Sequence, residues 1–146
     1  MSTPASTDIA LLQTLLAAEH AAVYGYGVLG ARLSDAARPA ARQASNAHRA
    51  RRDALTSHLL DRDAPAPAAL MAYDVTVASQ PEALRLAVRL EEGLATRWRD
   101  LVARTTDLPL RTMGAAGLSE VAVRAARWRL LLGSTPITVA LPGQDR

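Results

Sequence analysis

Glutamate, histidine and arginine carry whatever side-chain chemistry this chain can do, because it contains neither cysteine nor lysine. The missing thiol excludes disulfides, thiolate zinc sites, iron–sulfur clusters and a cysteine nucleophile. Four residues stand out: Glu19, His48, Arg52 and Glu91 each interrupt a series of apolar residues spaced by three and four. The series are Ile9, Leu12, Leu16, Glu19, Val23, Tyr26, Gly30, Leu33; then Ala41, Ser45, His48, Arg52, Leu55, Leu59; then Leu84, Ala87, Glu91, Leu94, Trp98, Leu101. Such spacing marks the inward seam of a bundle helix. A fourth series, Gly114, Leu118, Val121, Ala125, Trp128, Leu132, runs uninterrupted, with Glu120 and Arg127 flanking it.

Two carboxylates, an imidazole and a guanidinium admit two chemistries. One is a structural ion network, with Arg52 between Glu19 and Glu91 and His48 closing the hydrogen bonds. The other is a metal site in which Glu19, His48 and Glu91 donate two oxygens and a nitrogen, with Glu92 or Glu120 as further donors. A di-iron centre in a bundle needs two Glu-x-x-His motifs. None occurs: the residues three places after each glutamate are Ala22, Arg85, Leu94, Ala95 and Val123. A permanent cation at Arg52 also opposes a metal, so the network reading leads and no cofactor is expected. His20, Glu92, Glu120 and Arg127 flank the layer. No Gly-rich phosphate loop, nucleophile elbow or kinase signature appears, so no catalytic residue is assigned and a non-enzymatic role is favoured.

The elements that must position these residues follow from composition. The 146 residues suit one domain, 1–146, and 31 alanines with no phenylalanine favour helix over sheet. Thr7 with Asp8 in the first turn opens a helix over about 8–33. Ser34-Asp35 breaks it, and a second runs over about 36–60 with Pro39 in its first turn. Residues 61–80 hold Pro65 and Pro67 and lack a helical period. Ser79-Gln80-Pro81-Glu82 is a capping box for a third helix over about 81–105. Asp107 caps a fourth over about 108–132, in which Gly114 and Gly117 predict a kink or a late start. Helices of equal length bring Glu19, His48 and Glu91, each near its helix midpoint, to one level, which predicts a mid-bundle polar layer of Glu19, His48, Arg52 and Glu91. Two short breaks and one connection that could extend roughly 66 Å suit a four-helix bundle with a single long crossover. Residues 134–146 read as an extended tail lying on it.

The first helix is apolar nearly all round, with Glu19 and His20 as its charged groups near neutral pH. A helix of that kind is buried all round, which predicts a homodimer covering Leu11, Leu15, Ala18 and Ala22. The same two residues at its midpoint make a membrane span expensive. With no basic leader at the N-terminus, a cytoplasmic location is expected. Seventeen arginines against 14 acids leave +3, and five aromatics offer little base stacking, so nucleic-acid binding is not expected.

Several stretches resemble a ferritin-like family of unknown function from high-GC bacteria. Ala17-Ala-Glu-His-Ala-Ala-Val-Tyr-Gly-Tyr-Gly-Val-Leu-Gly-Ala-Arg-Leu33 is similar to its first helix, and His48-Arg-Ala-Arg-Arg-Asp-Ala-Leu55 to its second. Leu84-Arg-Leu-Ala-Val-Arg-Leu-Glu-Glu-Gly93 and Ala122-Val-Arg-Ala-Ala-Arg-Trp-Arg129 are similar to its third and fourth. The ending Leu141-Pro-Gly-Gln144 departs from the family's Phe-Pro-Gly-Leu-Pro. The resemblance implies an all-α, ferritin-like four-helix bundle without an established activity; its wider superfamily implies di-iron chemistry, whose ligand motifs do not match. The chain therefore reads as a dimeric binding or structural module of unknown ligand, with a metal-binding redox or storage protein as the alternative.

Overall fold

Four helices and no strand make up the described part of the chain, residues 3–144 of a computed structural model. The outermost positions of the expected 1–146 domain, and the last two of the 134–146 tail, lie outside the described residues. Helix α1 spans Pro4–Gly30, α2 Arg38–Leu60, α3 Gln80–Arg104 and α4 Leu108–Leu132.

Three helix starts are set by side chains. Ser79 Oγ accepts the Glu82 backbone N–H at 3.3 Å, while the Glu82 carboxylate reaches back to the N–H of Ala78 at 2.9 Å. Asp107 caps α4 through the Leu110 N–H at 2.9 Å. Helix α1 begins four residues earlier than Thr7 would set it: Thr3 is the cap, accepting the Ser6 N–H at 3.2 Å, and Pro4 opens the helix. Proline at that position lacks only an N–H that would have no partner anyway, and Asp8 consequently sits in the second turn, buried. The break after α1 is also longer than Ser34-Asp35, because the chain leaves the helix at Ala31 and resumes only after Ala37. Gly133 ends α4 in a left-handed conformation, φ 72°, with the Ser134 N–H on the Arg129 carbonyl at 3.1 Å.

Glycine neither delays nor interrupts α4, which runs unbroken from Leu108 to Leu132. A Cβ at Gly117 would lie 2.5 Å from the Trp98 ring, and one at Gly114 would lie 2.9 Å from Val102. The helix penalty of these glycines is offset by the close packing of α3 on α4 that they permit.

The connection 61–79 runs the length of α1. Gln13 Nε2 donates to the Pro65 carbonyl at 2.8 Å, and His20 Nε2 lies 3.0 Å from that of Pro67. The Tyr24 and Tyr73 rings are 5.1 Å apart, and Arg32 Nε donates to the Val77 carbonyl at 3.1 Å. The helices therefore run up, down, down, up, with one long crossover, as the loop lengths predict. This path also bears on self-association through α1. Leu11, Leu15 and Ala22 are buried within the chain itself, in a cluster that includes Ala64 of the crossover and the half-buried Ala18. They need no second copy to cover them. No described helix is long and apolar enough to cross a membrane.

The apolar interior falls into two clusters. One gathers Leu12, Leu16, Leu55, Leu59, Trp98, Leu101 and Leu110 at one end; the other gathers Tyr26, Leu29, Ala41, Leu84, Ala87 and Trp128 at the opposite end. Between them lies a charged layer.

Candidate functional site

Each helix contributes one charged residue to this layer, close to its own midpoint. Glu19 comes from α1, His48 from α2, Glu91 from α3 and Arg124 from α4. The first three are completely buried. His48 lies between the carboxylates, with Nδ1 2.8 Å from Glu19 Oε2 and Nε2 3.0 Å from Glu91 Oε1. On the far side of Glu91, Arg124 Nε donates to both carboxylate oxygens at 3.1 Å. The Tyr26 hydroxyl donates to Glu91, and Trp128 Nε1 donates to the Tyr26 oxygen at 2.8 Å. Tyr26 also stacks on His48, with ring centroids 5.1 Å apart.

The layer's protonation follows from this geometry. Burial alone would push the His48 pKa down. The hydrogen bonds and charges of Glu19 and Glu91 outweigh it and hold the imidazole at about 9, so both ring nitrogens carry protons at neutral pH. Burial and the Glu91 charge push Tyr26 well above its usual range, which keeps the phenol a donor. Two anions and two cations then balance. Glu19 Oε1 is buried without a hydrogen-bond partner among the described residues.

Three of the four sequence-derived residues thus meet, and the fourth does not. Arg52 points outward and pairs with Asp53 at 2.9 Å. It lies on the shoulder of the inner face of α2, where a long side chain reaches solvent without the cost of burying its charge. Arg124 supplies the guanidinium expected of Arg52 but contacts Glu91 alone; the place between the two carboxylates belongs to His48, and Tyr26 and Trp128 complete the shell. The fourth seam looked clean because Arg124 occupies the corresponding shoulder of α4. Charge balance was the available signal, since two buried carboxylates and one histidine call for one more cation at that height. The flanking candidates serve elsewhere. His20 holds the crossover, Glu92 pairs with Arg129 outside the layer, Glu120 pairs with Arg51, and Arg127 is exposed.

The di-iron chemistry that a ferritin-like relationship implies finds no fitting ligand set here. Glu19 and Glu91 address opposite nitrogens of one imidazole, so their oxygens do not converge on a common point. A guanidinium already bridges both oxygens of Glu91. No group of three or more His, Asp or Glu side chains placed to hold a metal occurs among the described residues.

Beside the layer the bundle is open. Helices α1 and α2, α1 and α3, and α3 and α4 pack on one another, whereas α2 and α4 barely touch. The groove between them measures about 510 Å³. Ala40, Ala44, Ala47 and Ala54 form one wall; Arg124, Arg127, Trp128 and Leu131 form the other. Arg51 lies 5.5 Å from the centre of the Trp98 ring and pairs with Glu120 across one end.

A family model described as a domain of unknown function, DUF4439, matches residues 11–146. The chain belongs to the DUF4439 family. No curated protein matches this DUF4439 chain. It is similar to a conserved hypothetical protein of Mycobacterium tuberculosis, Rv2844, whose crystal structure superposes with a TM-score of 0.86 at 39% identity. The match covers 96% of the DUF4439 chain and 100% of the mycobacterial one. At that likeness the four-helix backbone is shared. Neither description names an activity, which agrees with the unknown function that the helix motifs implied.

Proposed function

We propose that the protein is a non-catalytic small-molecule-binding bundle whose buried Glu19–His48–Glu91–Arg124 layer is structural and whose ligand lies between α2 and α4. The observation that carries this reading is the open α2–α4 groove with the Arg124 side chain in its wall. Its volume lies within the range of about 300–1,000 Å³ typical of ligand pockets, and its lining is mainly apolar with a few charged groups. The layer itself offers no catalyst. His48 has no exposed surface, and both of its nitrogens already donate to carboxylates, so it cannot take a proton from a substrate. We read the up, down, down, up order with its crossover as a ferritin-like arrangement in which an ion network stands where relatives of that architecture hold metal.

A thermal-shift survey of small molecules, run on the parent chain and on Ala47→Leu, tests this proposal. Ala47 is half-buried in the groove wall, so leucine there fills the groove. Ligands that raise the melting temperature of the parent but not of the variant support the reading. Elemental analysis of the same preparation covers the alternative: stoichiometric iron, manganese or zinc overturns it in favour of a metal protein using Glu19, His48 and Glu91.

A further inference from the structure

We propose that the α2–α4 groove takes an aliphatic monocarboxylate, its head group on the Arg124–Arg127 edge and its chain along the alanine wall of α2. This inference rests on the ligand-binding reading above and names the ligand class.

The shape is that of a trough. From Ala40 to Ala54 the α2 wall extends about 21 Å, and from Glu120 to Leu131 the α4 wall extends about 16 Å. The α2 side is mostly alanine methyl groups, which leave room for a chain; its polar side chains are Gln43 near one end and Arg51, already paired with Glu120, near the other. Trp128 and Leu131 continue the apolar surface on the α4 side. A flexible hydrocarbon gains from such burial wherever it lies in the trough.

Charge selects the head group. Arg51 is paired with Glu120, and Arg124 is paired with Glu91 through Nε alone. The terminal amino groups of Arg124 make no hydrogen bond among the described residues, and Arg127, one turn further along, makes none either. With two pairs neutral and Arg127 unmatched, the groove has one positive charge to answer, which suits a monoanion. A phosphate monoester carries nearly twice that charge, and the mid-helix backbone here has no free N–H groups to meet it. A planar carboxylate matches the planar guanidinium fork. Arg124 is also fixed in advance, because Glu91 holds its Nε and is itself held by His48 and Tyr26. Little side-chain freedom is then lost on binding.

Calorimetric titration with decanoate, decanol, acetate and decyl phosphate tests the assignment, with Trp128 fluorescence as a second readout. Decanoate should bind at least about tenfold more tightly than decanol, and acetate should bind too weakly to detect. Arg127→Gln, at an exposed position, should weaken decanoate about tenfold without moving the melting temperature of the free protein. Ala47→Leu should abolish decanoate binding. Equal affinity for decanoate and decanol, or tighter binding of decyl phosphate, overturns the monocarboxylate assignment and leaves the ligand-binding reading standing. Decanoate binding that Ala47→Leu leaves intact overturns the placement in this groove. If none of the four ligands binds, the monocarboxylate assignment fails; if the survey on the parent and on Ala47→Leu also finds no groove ligand, the binding reading falls with it.

Discussion

His48 exchanges water for two carboxylates, and the exchange is favourable only while the ring is charged. Its pKa of about 9 in the folded chain exceeds the ordinary 6.5. The stabilisation is therefore fully present below about pH 6.5 and is lost as the pH rises through 9, an effect of roughly 3 kcal/mol. Melting curves between pH 6.5 and 9.5 should show a falling midpoint for the parent, and a lower, flatter profile for His48→Gln. A parent profile that stays level across that window contradicts a charged His48. The two arginines separate just as cleanly. Arg124→Leu leaves Glu91 with His48 as its one remaining cation and unbalances the buried layer, which should cost about 3 kcal/mol, whereas Arg52→Met removes an outward pair and should cost less than about 1 kcal/mol. Chemical denaturation of both variants measures the contrast. Glu19, His48 and Glu91 were legible in the sequence because each breaks an apolar seam at mid-helix. Arg124 was not, because both α2 and α4 carry arginines on the shoulders of their inner faces. Which of these turns inward depends on the neighbouring helix rather than on its own.

At the scale of the helix, glycine has opposite effects at two positions. A methyl at Gly117 meets the Trp98 ring at 2.5 Å, while a methyl at Gly27 meets nothing within 4 Å. Alanine is the better helix former by about 1 kcal/mol. Gly27→Ala should therefore stabilise by up to that amount, and Gly117→Ala should destabilise by about 1–3 kcal/mol through overpacking. Equal responses in thermal unfolding would mean that α3 and α4 are not in close contact there. Helix starts at Ser79 and Asp107 were readable because each has a capping side chain three residues before the N–H it accepts. The start of α1 was misplaced because Thr7-Asp8 offers the same local pattern as a true cap, and Thr3-Pro4 is the pair the chain uses. The 61–79 crossover was evident from its prolines and missing period. Its seating along α1 was not, since it rests on contacts such as Gln13 with Pro65, some fifty residues apart in sequence.

For the whole molecule, the crossover explains why the leucines of so apolar a first helix are covered inside one chain. Replacing Leu15, which is wholly buried, with asparagine opens a cavity and strands an amide. The loss should exceed about 3 kcal/mol and should not vary with protein concentration. Light scattering alongside the melting curves checks this, because a fall in mass would put α1 at a subunit boundary. The layer that divides the interior also governs how the chain opens. Sliding any helix by one turn would move its charged residue about 5.4 Å out of the layer and into hydrocarbon, so the layer sets the register of all four. The apolar clusters on either side share few contacts across it. Truncations of Leu12 and Leu29, one in each cluster, should then add in their effects. In hydrogen exchange the two ends would behave as separate opening units hinged on a charged waist, each with its own protection against solvent.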